Sequence, residues 1–263
     1  MLHHVTVVPR NHRAIVGILH GYADHGARYA HVMQAWAETG VASVAIDLRG
    51  HGRSPGARGF CSRFDEYLED ADELARLVSD VGGGAPAFLY GHSFGGLVAV
   101  HSVLRSPVSW KGLLLSSPYI GLALPVPPLK LAAGRLASRL LPRLALPTGL
   151  TGAHVTHDAE RARGYDTDPL VFKRATARWF TETADAQQKA MAGAGRLSRP
   201  LYVVVGGADP VAKVSAGRAF FDAAGSADKT WDERPGLLHE VLNEPEWPAI
   251  AGAMAEWMAR RRG

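Results

Sequence analysis

The sequence predicts an α/β fold, a mostly parallel central sheet flanked by helices, with one long insertion. Three observations predict it. Short apolar runs alternate with stretches of helical periodicity, the pattern of strands joined by right-handed helical crossovers. Leu201-Tyr202-Val203-Val204-Val205 is apolar at every position, as a strand buried on both faces requires. Ala87-Phe88-Leu89-Tyr90 runs through Gly91-His92-Ser93-Phe94-Gly95-Gly96 directly into Leu97-Val98-Ala99-Val100, a strand joined to a helix by a glycine-flanked serine.

The elements follow in order. Strands are expected at 4–8 and 14–19, a helix near 29–39, and a strand at 42–46. The helix at 63–80 is marked by Ser62 and Asp65 as a capping box and by the stripe Leu68, Ala71, Leu74, Ala75 and Val78. Strand 86–90, helix 95–104 and strand 111–116 come next. After an interruption, strand 200–205, helix 214–224, strand 228–232 and helix 247–260 complete the core. The interruption, 118–199, is too long for a plain connection inside a compact domain. The core is therefore 1–117 plus 200–263, and 118–199 is a cap or lid.

Composition narrows the function. With 263 residues and 47% hydrophobic content the chain has material for a large single core. The net charge is +4, but the Lys and Arg residues are interspersed with acidic ones, which argues against a nucleic-acid partner. Arg260, Arg261 and Arg262 close the last helix, where cations complement its dipole. The single cysteine, Cys61, excludes an internal disulfide framework. No segment reaches the roughly 18 apolar residues of a membrane span. The N-terminus lacks a basic region followed by an apolar stretch. The expected location is the cytoplasm, with contact at the membrane periphery.

The chemistry centres on Ser93. The turn is tight enough to demand small residues two before and two after the serine, and Gly91 and Gly95 meet that demand. Such a turn lifts the hydroxyl clear of the sheet and points the following N–H groups at an incoming acyl oxygen. A serine hydroxyl needs a histidine to take its proton and an acid to orient that histidine. Asp209 lies just past the C-terminal end of strand 200–205, the edge where open parallel sheets place their active sites. Beyond Asp209 only one histidine remains, His239. The catalytic set is therefore Ser93, Asp209 and His239. The oxyanion requires two N–H groups, assigned to Phe94 and, after the strand at 14–19, to Tyr22. Asp47 and His51 precede the elbow, fall outside this order, and read as loop-structuring residues.

These residues sit among more restrictive blocks. They are His20-Gly21-Tyr22-Ala23-Asp24-His25-Gly26-Ala27-Arg28-Tyr29, Asp47-Leu48-Arg49-Gly50-His51-Gly52-Arg53-Ser54, Asp166-Thr167-Asp168-Pro169-Leu170 and Gly236-Leu237-Leu238-His239-Glu240. In this order, over nearly the whole chain, they resemble monoacylglycerol lipases and related lysophospholipases of the α/β-hydrolase superfamily. The sequence departs from that family at Asp24, where a glutamate is usual, and at Phe94, where methionine is usual. The resemblance implies an α/β-hydrolase fold with a helical cap inserted after the sixth strand. It also implies a small-molecule acyl ester as substrate and neither metal nor organic cofactor. His4-Val5-Thr6-Val7-Val8 leaves the family's opening hairpin reduced.

Within the insertion, Leu122-Ala123-Leu124-Pro125-Val126-Pro127-Pro128-Leu129 precedes an amphipathic pattern. Leu129, Ala133, Leu136 and Leu140 make one stripe, and Arg135, Arg139 and Arg143 another. Leu122, Leu124, Val126, Leu129 and Leu136 are the expected acyl-binding residues, and the arginines could meet an anionic lipid surface. Trp179 and Phe180 read as packing residues. The expected activity is hydrolysis of single-chain acyl esters through an acyl-enzyme intermediate. The same triad also suits a small-ester esterase, a carbon–carbon bond hydrolase or a perhydrolase, whereas a non-catalytic binding protein of this fold should have lost a triad member. The natural ester and the oligomeric state are not written in the sequence.

Overall fold

A computed structural model describes residues 1–105, 110–123 and 128–262. Its centre is a seven-stranded sheet in the order β1-β3-β2-β4-β5-β8-β9. These are β1 (His4–Val7), β2 (Ala14–Leu19), β3 (Val41–Ile46), β4 (Ala87–His92), β5 (Gly112–Ser116), β8 (Leu201–Gly206) and β9 (Lys229–Arg234). Only β1 runs antiparallel, pairing His4 with Ile46 and Val7 with Ser43 at one edge. All other neighbours are parallel.

Both faces of the sheet are covered at its centre, so the inner strands β2, β3, β5 and β8 are buried at every position. In β2 the alternation splits the side chains cleanly. Ile15 and Leu19 join the core formed with α2 (Asp65–Gly82) and α3 (Ser93–Arg105). Ala14, Val16 and Ile18 join the opposite core, with α1 (Ala30–Glu38) and α8 (Trp247–Ala259). The last crossover helix, α7 (Val214–Ala223), leads into β9.

Two expectations need correction. The opening hairpin is reduced to the single strand β1, so among the described residues the insertion leaves the sheet after the fifth strand, β5, and not after a sixth. The capping box at Ser62 does not form. Helix α2 begins at Asp65 with Phe64 as its cap residue, and Glu66 Oε2 instead accepts the Ser62 N–H at 3.2 Å.

Between β5 and β8 lie α4 (Pro128–Leu140), a short antiparallel ribbon of β6 (Ala145–Pro147) and β7 (Arg174–Thr176), α5 (Ala159–Thr167) and α6 (Ala177–Gly193). Helix α6 is capped by Thr176, whose Oγ1 accepts the Trp179 N–H at 3.3 Å, and its inward face carries Trp179, Thr183, Ala186 and Ala190. No helix among the described residues is long and apolar enough to cross a membrane.

Candidate active site

Strand β4 passes into α3 at Ser93 without a loop. Ser93 holds φ at 49°, a left-handed conformation that costs energy for any residue with a Cβ and persists only where the surroundings enforce it. The enforcement is steric closeness. A Cβ on Gly91 would lie 2.5 Å from the Gly95 carbonyl, and one on Gly95 would collide with the carbonyls of Leu19 and His20. The elbow is thus pressed against the end of β2. A Cβ on Gly21 would sit 3.5 Å from Ser93 Cβ, which brings the His20–Tyr22 backbone beside the serine.

Asp209 follows β8 and His239 follows β9, and the two meet. His239 Nδ1 donates to Asp209 Oδ2 at 2.8 Å, which leaves the lone pair on Nε2. The other carboxylate oxygen, Oδ1, accepts the N–H groups of Val211 at 2.8 Å and Ala212 at 3.0 Å. Burial disfavours the Asp209 charge, but His239 and these donors outweigh it and hold the carboxyl below its usual range. Burial likewise opposes a charged His239, yet the Asp209 charge and hydrogen bond, with Glu240 and Asp24 farther off, raise its pKa. Ser93 and His239 are both buried, at 7% and 4% exposure. No hydrogen bond joins Ser93 Oγ to His239. Such contacts commonly tighten only around substrate.

A second histidine lies against the first. The His92 and His239 rings are 4.9 Å apart, and His92 Nδ1 pairs with Ser116 Oγ at 2.8 Å. Burial and the neighbouring His239 charge push His92 down to about 4, so it stays neutral and adds no competing cation.

Residues 10–246 match the family described as Serine aminopeptidase, S33. The chain belongs to that family. A monoacylglycerol lipase of Mycolicibacterium smegmatis is 31% identical over 247 residues, covering 94% of this chain and 88% of that protein. Phospholipase YtpA of Bacillus subtilis is 31% identical over 239 residues, covering 89% and 90%. The crystal structure of Paleococcus ferrophilus monoacylglycerol lipase superposes with a TM-score of 0.89 at 28% identity, covering 99% of each chain. This S33 member is a serine hydrolase with the α/β-hydrolase fold.

The S33 chain carries a polar layer behind His239 that the sequence did not reveal as a unit. Arg28 donates to both carboxylate oxygens of Glu240, at 2.9 and 2.7 Å, and to Asp24 at 3.0 Å. Burial opposes the Arg28 charge, but the two carboxylates prevail and keep it firmly protonated. Asn243 adds a donor to Glu240 at 2.7 Å. Asp168 accepts from His25 Nε2 at 2.9 Å, tying the Asp166–Leu170 block to the His20–Tyr29 block. Asp47 accepts the N–H groups of Gly26 and Arg53 at 2.7 and 2.8 Å, so it structures its loop.

The insertion is hydrogen-bonded into the same layer. The Glu240 N–H donates to the Val155 carbonyl at 2.8 Å. The buried Glu244 accepts the Leu238 N–H at 2.6 Å and the His157 N–H at 2.7 Å. Its first segment also pairs with the acid loop: Leu122 bridges Ala212, and the Ala123 N–H donates to the Val211 carbonyl at 3.0 Å.

The expected acyl-binding residues separate in this S33 structure. Leu122 is half-buried against the core. Leu124 and Val126 lie outside the described residues, as does the side chain of Leu129. Leu136 corrects the expectation, for it is 59% exposed and lines no interior surface. Helix α4 instead turns its small residues, Gly134, Ala137 and Ser138, toward α6. A Cβ on Gly134 would lie 4.0 Å from Phe180, and Ser138 Oγ bonds Thr181 Oγ1 at 2.7 Å. Leu136 and Leu140 face outward on the opposite side. A groove of about 490 Å³ remains between α4 and α6, lined by Ile120, Phe180, Ala184, Met191, Gln187 and Arg135. The Tyr119 N–H, one residue before Ile120, donates to the Ser93 carbonyl at 3.0 Å. Among the described residues no group of three or more His, Cys, Asp or Glu side chains is arranged to hold a metal ion.

Proposed function

We propose that the chain hydrolyses monoacylglycerol-like and other single-chain acyl esters, with Ser93 as nucleophile, His239 as base and Asp209 as its orienting anion. The observation that carries this reading is the 2.8 Å Asp209–His239 contact beside a serine held at φ 49° on the first turn of α3. Ser93 Oγ attacks the acyl carbonyl and His239 Nε2 takes its proton. The oxyanion is held by the N–H groups of Phe94 and Tyr22, close to the N-terminus of α3. The imidazolium, favoured by the raised His239 pKa, returns the proton to the leaving alcohol. Water, activated by the same histidine, then releases the acid.

Residues 118–199 act as a cap, and the groove along α6 takes the acyl chain. Its volume is that of a small-molecule site, and Ile120, Phe180, Ala184 and Met191 give it apolar lining beside the polar Thr181, Asp185, Gln187 and Gln188. The outer surface of the cap meets lipid. Leu136, Leu140, Leu141, Leu144 and Leu146 are all exposed there, beside the exposed Arg135, Arg139 and Arg143. An apolar patch rimmed by arginines suits an anionic bilayer surface, from which the substrate would be drawn.

The test is a fluorophosphonate probe together with an ester panel. Wild-type protein should label at Ser93, and Ser93→Ala should abolish labelling and lower turnover by roughly 10³-fold or more. Octanoyl and longer monoacylglycerols should exceed acetate esters in kcat/KM by about tenfold, because two or three buried methylenes suffice for that ratio. A preference for acetate would replace the lipase reading with a small-ester esterase.

A further inference from the structure

Tyr22 supplies one of the two oxyanion N–H groups in the proposed mechanism, a role that needs only its backbone. Its side chain nevertheless makes specific contacts. The hydroxyl donates to the Arg174 carbonyl at 2.8 Å, and the ring lies on Trp179 with centroids 3.7 Å apart. Phe94, Phe172 and His51 meet the ring edge-on at 6.1, 5.3 and 5.5 Å.

Arg174 and Trp179 belong to one continuous stretch of the 118–199 segment. Arg174 opens β7 and Trp179 lies in the first turn of α6. Between them, Thr176 caps α6 and donates from Oγ1 to the Gly59 carbonyl at 2.7 Å, fixing the stretch to the loop before α2. Tyr22 is therefore held at its hydroxyl and on its ring face by one anchored stretch of the insertion.

The loop that carries Tyr22 needs an outside hold. Ala23 has φ 62°, a left-handed conformation unfavourable for a residue with a Cβ. Strain of this kind persists only when neighbouring contacts over-determine it. An oxyanion donor also loses effect steeply with misplacement, since its value lies in being aimed beforehand.

We propose that the Tyr22 side chain is a positioning device, through which Arg174–Trp179 aims the Tyr22 N–H at the oxyanion. Seating of this stretch and competence of the oxyanion hole are then one event. The inference rests on the ester-hydrolase reading and on Tyr22 as oxyanion donor. It goes beyond both in giving the side chain a role in kcat.

Tyr22→Phe keeps the ring and the backbone N–H and removes only the hydroxyl, and Trp179→Leu removes the stacking face. Both should lower kcat by about three- to tenfold, the worth of one modest contact, with KM changed less than about twofold. The loss should be equal for acetate and octanoate esters, because every ester develops the same oxyanion. The rate of fluorophosphonate labelling should fall in parallel. A Tyr22→Phe protein that melts earlier but turns over at the wild-type rate would overturn the proposal, leaving the hydroxyl a structural bond. So would a Trp179→Leu effect confined to long chains, which would make Trp179 an acyl-pocket wall. Wild-type protein inert to both the probe and every ester would sink the hydrolase reading and this inference together. Active wild type with an unaltered Tyr22→Phe kcat would sink the inference alone.

Discussion

Arg28 clasps Glu240, the residue directly after His239, through both terminal guanidinium nitrogens, Nη1 and Nη2, although 212 positions separate them in sequence. The pair is buried and shares Asp24 and Asn243. It anchors the chain immediately after His239, six residues beyond the end of β9, so it acts on His239 through position and through charge.

Glu240→Gln should therefore cost more than a surface ion pair would. Removing one partner of a buried pair leaves the other charge uncompensated, a loss of about 3 kcal/mol or more. Chemical denaturation should show that loss, and kcat/KM for esters should fall by roughly tenfold as His239 loses its fixed backbone. Unchanged stability and turnover would mean that Asp24 alone satisfies Arg28.

The pH profile tests the Asp209–His239 contact. The proposed base, His239, can act only when neutral, and its pKa is raised above the ordinary 6.5, with Asp209 the leading charge that raises it. Ester kcat/KM should climb with pH through an inflection above 6.5. Asp209→Asn should lower turnover by about 10²–10⁴-fold and move the inflection of the residual activity downward, because the anion that favours the imidazolium is gone. The stability terms have opposite signs. The raised His239 stabilises the fold below pH 6.5, and that contribution disappears as pH rises through its folded value. The lowered Asp209 stabilises it above pH 3.8, and that contribution disappears as pH falls through its folded value. An inflection that stays in place in Asp209→Asn would assign the titration to another group.

The exposed leucines make a separable prediction. Leu140→Asp combined with Leu141→Asp replaces two side chains that are 70% and 60% exposed. Binding to vesicles containing anionic lipid should weaken by about tenfold or more, as lost apolar burial and added negative charge act together. The melting temperature should hold, since neither side chain packs in the core. Co-sedimentation with vesicles of defined composition checks the first point, and equal binding by variant and wild type would remove this face from any lipid contact.

Local patterns that repeat at the period of a strand or helix were legible in the sequence. Leu201–Val205 is buried at every position because both faces of the sheet are covered, and the run of residues said so. The meeting of His239 with Asp209 was also readable, because chain order left a single histidine after the acid. Side-chain identity at distant positions was not readable. Arg28 and Glu240 each appeared in a quoted block, yet nothing local pairs an arginine after β2 with a glutamate after β9. The orientation of α4 was misread for a different reason. Its leucine stripe is stronger than the face of Gly134, Ala137 and Ser138, but that face is the one bonded to α6, through Ser138 Oγ and Thr181 Oγ1. At Ser62 the capping signal lost to Glu66, one residue beyond the expected partner.

The hydrogen bond from the Glu240 N–H to the Val155 carbonyl has an evolutionary consequence. Part of the mould in which the histidine loop sets comes from the insertion itself, so 118–199 is not an interchangeable part. A chimera receiving another relative's whole insertion would have to reproduce the Val155–His157 main-chain contacts or misplace the base. The stretch from 132 to 147, which lacks such bonds to the histidine loop, is where substitution can be exploratory.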